Sequence, residues 1–465
     1  MQPSSIHKGL LLAAALAAGV ASGAATLRRD AADTVGIVRI SDPARQTLAP
    51  EVAVGRDGSV HVIWLDKNPQ QVSSVTQQHD HQLQHTGGHV DRHLSSMDLW
   101  FARSTDGGAS FSAPVRVNTE PGMVWGFAVS KPKIAVARSG TIHVIFPANA
   151  LGPDVDGQPG KPVLVMYYTR STDAGASFER PRLLHSLPAV DQSAFMDGGF
   201  SSAHAFAALG VAPNGKVHAI WVDTRSMQQG DTAAAAYSAV STDDGASWSG
   251  ETAALPEDVC PCCQITIAFD DSSNVYIGSR QVTDHGTRNS TIARAVAGNA
   301  VLGAPVQTGG KEWKLDGCPL KPTMVAVQGR RVYTAAYNGG ESPAGVYFSM
   351  SGDAGKTFGA ATAVHPGASV SDAPSLVLAG GTPLLAWHAK TTGPRRVFWR
   401  RATRDGQLGP VQELAAPEGT AQHPALAARP DGRAQLVWQQ GEQIMTTVID
   451  PRARGAGALS AGRAP

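Results

Sequence analysis

Four cysteines are the residues of this sequence whose type and spacing most directly allow chemistry. Three stand in the run Cys260-Pro261-Cys262-Cys263, and the fourth is Cys318. Thiolates are ligands for soft or borderline metals, so these residues could hold Cu(I) or Zn(II). Disulfides are the alternative, because an oxidising compartment favours them and four cysteines allow three pairings. The run matches no common zinc spacing, so both interpretations stay open.

Histidines form a second group of possible metal ligands. One long loop carries the pattern His-x-His followed by a histidine at every fourth residue: His79, His81, His85, His89 and His93. Such spacing would align imidazoles on one side of a helical turn, and loops of this length are usually functional or disordered. The sequence therefore predicts either a solvated insertion or a metal site that combines the cysteines with His79, His81, His85 and His204.

The elements that must position these residues come from a unit that repeats along the chain. Each unit has a short apolar run, a turn, a β-rich run ending in an aromatic residue, a loop, a third strand, an Asp-Gly turn and a fourth strand. The units begin at Pro50, Pro132, Ala205, Cys263, Pro322, Pro374 and Pro424. Self-similarity of this kind is typical of repeat architectures. We therefore predict an all-β chain that forms a single β-propeller of four-stranded blades.

The last unit lacks a fourth strand, and the beginning of the chain supplies a matching one. Residues 36–41 read like residues 114–118, the fourth strand of the first unit. An open ring would expose edge strands and apolar faces, so the N-terminal strand is expected to complete the last blade. The prediction is a closed ring of seven blades, with six as the alternative. Equivalent positions of neighbouring blades meet near the axis, which would gather the four cysteines at one mouth of the channel.

A tighter motif marks the turn between the third and fourth strands of four units. It runs Ser-x-Asp-x-Gly-x-Ser/Thr-aromatic and occupies residues 104–111, 171–178, 241–248 and 351–358, which we call the motif turns. The Asp and Ser side chains can accept backbone N–H bonds there, and Gly can adopt positive φ. These residues resemble the Asp-box, or BNR repeat, of sialidase-like propellers. The resemblance implies a structural role for Asp106, Asp173, Asp243 and Asp353.

The same resemblance implies where a sialidase-type site would lie. Sialidases hold the sugar carboxylate with three arginines, use a tyrosine activated by a glutamate as nucleophile, and take a proton from an aspartate. The family's Arg-containing motif is missing at the first strand, which reads Leu48-Ala49-Pro50-Glu51. The loops at the expected mouth nevertheless offer one candidate set: Tyr337, Glu341, Arg225, Arg280, Arg395 and Asp66. Surface loops often carry polar residues, which is the alternative interpretation.

The expected function follows from these two groups of residues. The first expectation is an exported propeller that binds a glycan or another small molecule at its channel mouth, or hydrolyses a glycan there as an exo-sialidase would. The alternative is a non-catalytic exported propeller that binds Cu or Zn through its Cys/His cluster or serves as an interaction platform. Propellers host many unrelated functions, so the fold does not decide between them.

The two ends of the chain predict export and a loose tail. Residues 1–25 combine a polar start, an apolar Leu/Ala run and a small-residue segment, which is the pattern of a secretory signal. Cleavage is expected near Ala24 or Ala25, and the mature protein would be periplasmic or secreted. Residues 34–450 are expected to form the propeller. Residues 451–465, rich in Ala, Gly and Arg, are expected to be a disordered tail.

The composition excludes several classes of partner. Lys and Arg number 39 and Asp and Glu number 38, so the net charge is +1. This balance argues against binding to nucleic acid through bulk charge. Beyond the signal segment, no apolar run approaches the roughly 20 residues of a membrane-spanning helix. We expect a monomer without a membrane span.

Overall fold

The computed structural model of this chain describes residues 36–67, 96–151, 162–186, 204–225, 227, 233–284, 286–299, 302–315, 317 and 319–452. These residues form strands joined by turns and contain no α-helix. In this part of the chain there is accordingly no helix of the length and apolarity needed to cross a membrane. The all-β class predicted from the sequence is confirmed.

The first three units have four strands each and follow a short N-terminal strand, β1 (Val38–Arg39). Unit one contains β2 (Gln46–Val54), β3 (Val60–Lys67), β4 (Met97–Ser104) and β5 (Val115–Arg116). Unit two contains β6 (Lys133–Val136), β7 (Ile142–Leu151), β8 (Pro162–Ser171) and β9 (Arg182–Leu183). Unit three contains β10 (His204–Val211), β11 (Val217–Asp223), β12 (Ala234–Ser241) and β13 (Thr252–Val259).

The remaining units continue the same order. Unit four contains β14 (Thr266–Phe269), β15 (Val275–Thr283), β16 (Thr287–Ala295) and β17 (Val306–Gln307). Unit five contains β18 (Thr323–Gln328), β19 (Arg331–Asn338), β20 (Gly345–Ser351) and β21 (Thr362–Ala363). Unit six contains β22 (Val370–Ala379), β23 (Thr382–Lys390), β24 (Arg396–Arg401) and β25 (Gln412–Glu413). Unit seven contains β26 (Ala421–Ala428), β27 (Ala434–Gln440) and β28 (Gln443–Ile449).

The strands of each unit pair antiparallel with their neighbours in the chain. In unit seven the fourth position belongs to β1, which pairs with β28 through Val38 and Thr446. Units three and four share one sheet, because β13 pairs with β15 through Val259 and Gln281. The four-stranded antiparallel sheets predicted from the repeat are therefore confirmed.

The first strands of successive units pack against one another. β2 contacts β6, and the contacts continue through β10, β14, β18 and β22 to β26, which contacts β2. The aromatic residue that ends the second strand lies in the core between the sheets and is at most 2% exposed in five units: Trp64, Phe146, Trp221, Trp387 and Trp438. Burial of these large side chains supplies much of the hydrophobic stabilisation between units.

The motif turns have the geometry that their sequence predicts. In the first, the Asp106 carboxylate accepts hydrogen bonds from Ser104 Oγ at 2.7 Å and from the amides of Ala109 and Ser110, both at 3.0 Å. Gly108 has φ of 92°, a region that favours glycine. Burial raises the pKa of Asp106, but the hydrogen bonds of the turn outweigh it and lower that pKa to about 2. The bonds from the serine two residues before the aspartate and from the amide four residues after it recur at Asp173, Asp243 and Asp353.

Candidate functional site

One cavity of about 160 Å³ lies among the first strands, and we call it the central cavity. Every unit contributes to its lining, for instance through Glu51, Ile134, Ala208, Ile267, Met324, Pro374 and Pro424. Residues far apart in the sequence meet here because each holds a similar position in its own unit. The central cavity is thus the place where side chains of all units can act on one ligand.

Units one and two bring three charges to the wall of the central cavity. Glu51 Oε2 lies 2.8 Å from Lys133 Nζ and 3.1 Å from Lys131 Nζ. Burial raises the pKa of the Glu51 carboxyl, but the two ammonium groups outweigh it and lower the pKa to about 2. Burial also lowers the pKa of Lys133 to about 8, against the pull of Glu51. At neutral pH this wall therefore carries the carboxylate of Glu51 beside two cationic lysines.

Units six and seven add a pair of neutral histidines. The rings of His388 and His423 have centroids 5.0 Å apart, and the His423 amide donates to His388 Nδ1 at 3.1 Å. Burial lowers the pKa of His388 to about 4 and that of His423 to about 3. His423 lines the central cavity, and its buried Nδ1 has no hydrogen-bond partner among the residues that the structure describes. A ligand in the cavity would find a neutral imidazole with an unused polar atom.

Cations from three units surround these histidines. Lys321 forms an ion pair with Asp372, and the next residues, Pro322 and Ala373, line the central cavity. The positive charges of Lys131, Lys321 and Arg395 each add to the effect of burial in lowering the pKa of His423. The region around the histidine pair is therefore positively charged.

Arg280, one of the three arginines predicted to hold a carboxylate, supports the backbone below this region. It is 1% exposed, and its two Nη atoms donate to the carbonyl oxygens of Arg288 at 2.9 Å and Tyr337 at 2.8 Å. Its guanidinium lies over the Trp313 ring, 5.4 Å from the centroid. Both terminal nitrogens are used by the backbone, so Arg280 fixes the ends of β16 and β19.

The predicted nucleophile and its activating glutamate have different neighbours. The Tyr337 ring lies 6.0 Å from Trp313 and 5.1 Å from Lys321 Nζ, and burial raises the pKa of its hydroxyl. Glu341 accepts a hydrogen bond from the Lys311 amide at 2.9 Å. Within the described ranges no hydrogen bond joins Tyr337 to Glu341. The two residues lie in one loop region, but Glu341 is bonded to Lys311.

Arg225 is held by two carboxylates. Its Nη2 lies 2.7 Å from Asp223 and 2.7 Å from Glu251, and its guanidinium stacks 4.2 Å above the Tyr237 ring. Burial lowers the pKa of Arg225, but these carboxylates outweigh it and raise the pKa further above its usual range. The positive charge of Arg225 is thus already paired with carboxylates of unit three.

Arg395 and Asp66 complete the predicted set and have contrasting surroundings. Arg395 is exposed in the loop between β23 and β24 of unit six, close enough to His388 to influence its pKa. Asp66 is 2% exposed and forms an ion pair with Arg45, while burial raises its pKa. The three predicted arginines therefore have three separate sets of partners.

The cysteines of the run before β14 form a buried cluster. The sulfurs of Cys260, Cys262 and Cys263 lie within 4.8 Å of one another, which is close enough to ligate a single ion. Cys262 is disulfide-bonded, whereas Cys260 and Cys263 are free thiols with sulfurs 2.8 Å apart. The prediction gathered all four cysteines at one channel mouth, and these three do lie together. Cys318, the fourth, lies outside the described residues.

Two arginines flank the free thiols. Arg288 lies 3.7 Å from Cys260 Sγ. Burial raises the pKa of Cys263, but the hydrogen bond from Cys260 and the charge of Arg280 lower it to about 7. Burial raises the pKa of Cys260 well above its ordinary value. The described residues thus offer a metal two free thiols, whereas structural zinc usually takes four ligands.

The predicted histidine ligands lie mostly beyond the described ranges. His79, His81 and His85 fall in residues 68–95, which the structure does not describe. His204 begins β10, and only its backbone is described. The proposed combination of cysteines with these histidines therefore remains a prediction.

Sequence reasoning missed the charged wall of the central cavity. Glu51 lies within β2, Lys133 begins β6 and Lys131 precedes it, whereas the residues predicted for a sialidase-type site lie at the ends of second strands or in the loops that follow. A usable signal was present, because Lys131-Pro132-Lys133 places two cations beside the proline that begins unit two. Comparing the first two residues of each unit would have identified this group.

Comparisons with known proteins bear on the fold. No family model and no curated protein matches this chain. A solved protein of unknown function from Dyadobacter fermentans DSM 18053 is 15% identical, with a TM-score of 0.51 over 90% of this chain and 99% of that chain. A polysaccharide lyase described as an ulvan lyase is 11% identical, with a TM-score of 0.54 over 90% and 96%. These two likenesses show a shared fold along nearly the full length of each protein, and nothing more.

Sialidases also match, less closely. An intramolecular trans-sialidase from Ruminococcus gnavus, solved with oseltamivir carboxylate, is 11% identical, with a TM-score of 0.45 over 87% of this chain and 94% of that chain. A likeness at this level does not carry activity or site residues from one protein to the other.

Proposed function

We propose that this chain is a closed, seven-bladed β-propeller that binds an acidic carbohydrate in its central cavity. The contact of β26 with β2 and the pairing of β1 with β28 support the ring, since both connect the last unit to the first. The neighbour with a TM-score of 0.54 is a polysaccharide lyase, which makes carbohydrate the first ligand class to test.

The surplus of positive charge around the central cavity is the observation that carries this proposal. Lys131, Lys133 and Lys321 face two carboxylates, those of Glu51 and Asp372. The histidine pair adds no charge at neutral pH, because burial keeps both pKa values low. A ligand carboxylate would balance the charge and accept charge-assisted hydrogen bonds from the lysines.

The size and polarity of the cavity favour one sugar ring. Its volume of about 160 Å³ is below the roughly 300 Å³ at which pockets for drug-sized ligands begin. The unused Nδ1 of His423 can bond a sugar hydroxyl, and apolar residues such as Ile267 and Met324 can contact the ring faces. The terminal residue of an acidic glycan fits these features better than a long polymer segment.

Calorimetric titration tests the proposal directly. N-acetylneuraminate and glucuronate should bind, and neutral N-acetylmannosamine should bind at least tenfold more weakly. Lys131→Met should weaken binding of the acids about tenfold, because it removes one cation and leaves Lys133 to pair Glu51. Lys356→Met, at an exposed site in a motif turn, is the matched control. Equal binding of acidic and neutral sugars, or no binding at all, would contradict the proposal.

Hydrolysis is a separate extension, because it uses the residues predicted from the sequence and none of them lines the central cavity. In it Tyr337 is the nucleophile, Glu341 its activator and Asp66 the proton donor, while Arg225, Arg280 and Arg395 hold the sugar. Glu341 would first have to release Lys311, since the carboxylate is bonded there. A fluorogenic sialoside assay of the wild type and Tyr337→Phe tests this step. Binding without turnover would contradict the proposed hydrolysis and would still support the proposed binding.

Metal binding is the second candidate function, and the cysteine cluster is the observation that favours it. Three sulfurs lie within 4.8 Å of one another beside β14, although Cys262 is disulfide-bonded. We propose that reduction would free this sulfur and allow one Cu(I) or Zn(II) to bind. Elemental analysis of the reduced protein and of Cys260→Ser/Cys263→Ser measures this. Equal metal content in the two proteins would contradict a cysteine site.

Export is part of the proposed function. The signal pattern of residues 1–25 supports it, and the disulfide at Cys262 fits an oxidising compartment. Fractionation of cells that express the full chain should place the mature protein in the periplasm or medium, as a monomer. Its N-terminal sequence should begin within a few residues of Ala25. A cytoplasmic protein that retains Met1 would contradict export.

A further inference from the structure

Motif turns fill the gap between their own unit and the preceding one. The aromatic residue that ends the turn packs on a ring from the preceding third strand: Phe178 on Phe101 with centroids 5.3 Å apart, and Trp248 on Tyr168 at 4.8 Å. At Gly245 the turn approaches Tyr168 so closely that a Cβ would collide with it. Two rings and a turn therefore occupy each of these interfaces.

The interface between units three and four lacks both the aromatic ring of the third strand and the motif turn with its own ring. Phe101 and Tyr168 each stand three residues before the serine that opens their unit's motif turn, and the equivalent residue in unit three is Ser238. The register agrees, because Tyr168 pairs with Ile145 and Ser238 pairs with Ile220 at the same position of the second strand. Residues 296–305, which join β16 to β17, contain no aspartate and no aromatic residue.

A cavity of about 290 Å³ lies at this interface, and we call it the interface cavity. Its lining comes from β11, β12 and β13 on one side and from β14, β15, Ala295, Gly298, Asn299 and Leu302 on the other. The apolar part of the wall consists of Ile220, Val240, Ala254, Ile267, Val275, Ile277 and Leu302. The space left by the two missing rings has therefore stayed open rather than collapsed.

The polar part of the wall is cationic. Lys216 and His218 line the interface cavity, and no Asp or Glu occurs among its described lining residues. His218 packs against Phe269, with ring centroids 5.2 Å apart, and burial together with Lys216 lowers its pKa to about 4. At neutral pH the wall thus carries the lysine charge and a neutral imidazole. Lys216 has no ion-pair partner in the described part of the chain.

We propose that the interface cavity binds a small aromatic molecule that carries an anionic group. The equivalent space in other units holds aromatic rings, which shows that this geometry of strands accommodates flat apolar groups. Lys216 would pair with the anion, and Ser238 and His218 offer hydrogen bonds at the same wall. The volume is close to the low end of ligand pockets, at about 300 Å³.

An exposed apolar side chain next to the lining of the interface cavity is a second indication that this region binds apolar groups. Val296 follows the lining residue Ala295 and is 53% exposed, whereas nearly all other large apolar side chains in the described ranges are covered. The interface cavity is separate from the central cavity. Ile267 is the one described residue that lines both.

Titration calorimetry with indole-3-acetate and indole tests the proposal on the full mature chain. Indole-3-acetate should bind the wild type with one site. Ser238→Phe, which restores the ring found in unit one, should weaken binding at least tenfold, whereas Ser238→Ala should not. Lys216→Met should weaken indole-3-acetate about tenfold and leave indole unchanged, with Lys356→Met as the matched charge control.

Several results would overturn the proposal. These are the absence of binding by either probe, unchanged binding in Ser238→Phe, or an equal loss for the charged and neutral probes in Lys216→Met. Dimerisation of the wild type that Ser238→Phe abolishes would instead assign the cavity to a second copy. If Ser238→Phe does not fold, Ala254→Leu fills the same space with a smaller change and should also weaken binding.

Discussion

Charged side chains are stabilised by local hydrogen bonds in the motif turns and by ion pairs between units around the central cavity. In a motif turn, an exposed carboxylate such as Asp106 is saturated by hydrogen bonds from residues within four positions in the chain. Around the central cavity, partly buried charges pair between units: Glu51 with Lys133, 82 residues away, and Lys321 with Asp372, 51 residues away. The motif turns are encoded locally, whereas the cavity depends on the packing of several units against one another.

This difference indicates where structure and function lie in the molecule. A local turn can be copied from unit to unit because each copy satisfies its own polar groups. The cavity residues differ from unit to unit, so their pattern cannot serve the fold alone. Buried charge that varies between repeats is a better marker of a ligand site than any repeated motif.

Removal of the Glu51 carboxylate should have the largest effect on stability. Glu51→Gln would leave Lys131 and Lys133 buried without a counter-charge, and breaking a buried ion pair in this way costs about 3–5 kcal/mol. Urea unfolding at pH 7 measures the loss. Glu413→Gln is the control, since its pair with Arg396 is half exposed and such pairs contribute about 0–1 kcal/mol. Equal losses of unfolding free energy in the two variants would show that the ion pair at the cavity contributes no more to stability than the pair at the surface.

Loss of the disulfide should come next. Cys262→Ser removes a covalent link that typically contributes about 2–4 kcal/mol, whereas Cys260→Ser changes a free thiol and should cost less. In denaturant without reductant the wild type should show two reactive thiols, and four after reduction. Peptide mapping should join Cys262 to Cys318. No free thiols, or four before reduction, would contradict the observed state of the cluster.

The sequence predicted the fold in more detail than the site, and the reason is physical. Motif turns, alternating strands and buried aromatic residues such as Trp64 are local signals that each unit repeats. The cysteine cluster was also predictable, because three of its members are adjacent in the chain. The grouping of Glu51 with Lys133 was missed, since a pair between units has no local signature. Partners of Arg225 and Glu341 depend on side-chain geometry that spacing does not contain.

Acid should destabilise the cavity before it affects the motif turns. Burial lowers the pKa of His388 to about 4, below its ordinary value of 6.5, so the folded state excludes a proton that the unfolded state binds. The stability that this provides is complete above pH 6.5 and is lost as pH falls towards 4, with a slope of at most about 1.4 kcal/mol per pH unit. His388→Gln should flatten the decline in this window.

The charged groups near His388 modify this effect, whose direction is set by burial. Asp372 opposes the lowering of the His388 pKa, while Arg395 and Lys321 add to it. His423 behaves in the same way as His388, so one substitution should remove part of the decline. Denaturant unfolding between pH 7 and 4 measures it. An unchanged slope in His388→Gln would show that the pair is hydrated or protonated in the folded protein.

A single motif turn should have the smallest effect, and its size tests whether the repeat acts through its hydrogen bonds. Asp106→Ala removes the acceptor of four bonds in its turn and should cost about 1–2 kcal/mol. Asp405→Ala is the matched control: Thr403-Arg404-Asp405-Gly406 in unit six is an incomplete copy of the motif, and within the described residues Asp405 accepts one hydrogen bond, from Arg331 at 3.4 Å. That variant should lie within about 0.5 kcal/mol of the wild type. If both substitutions cost the same, the aspartate would stabilise the turn through charge alone, and the hydrogen bonds of the complete motif would add nothing to the packing of Phe111.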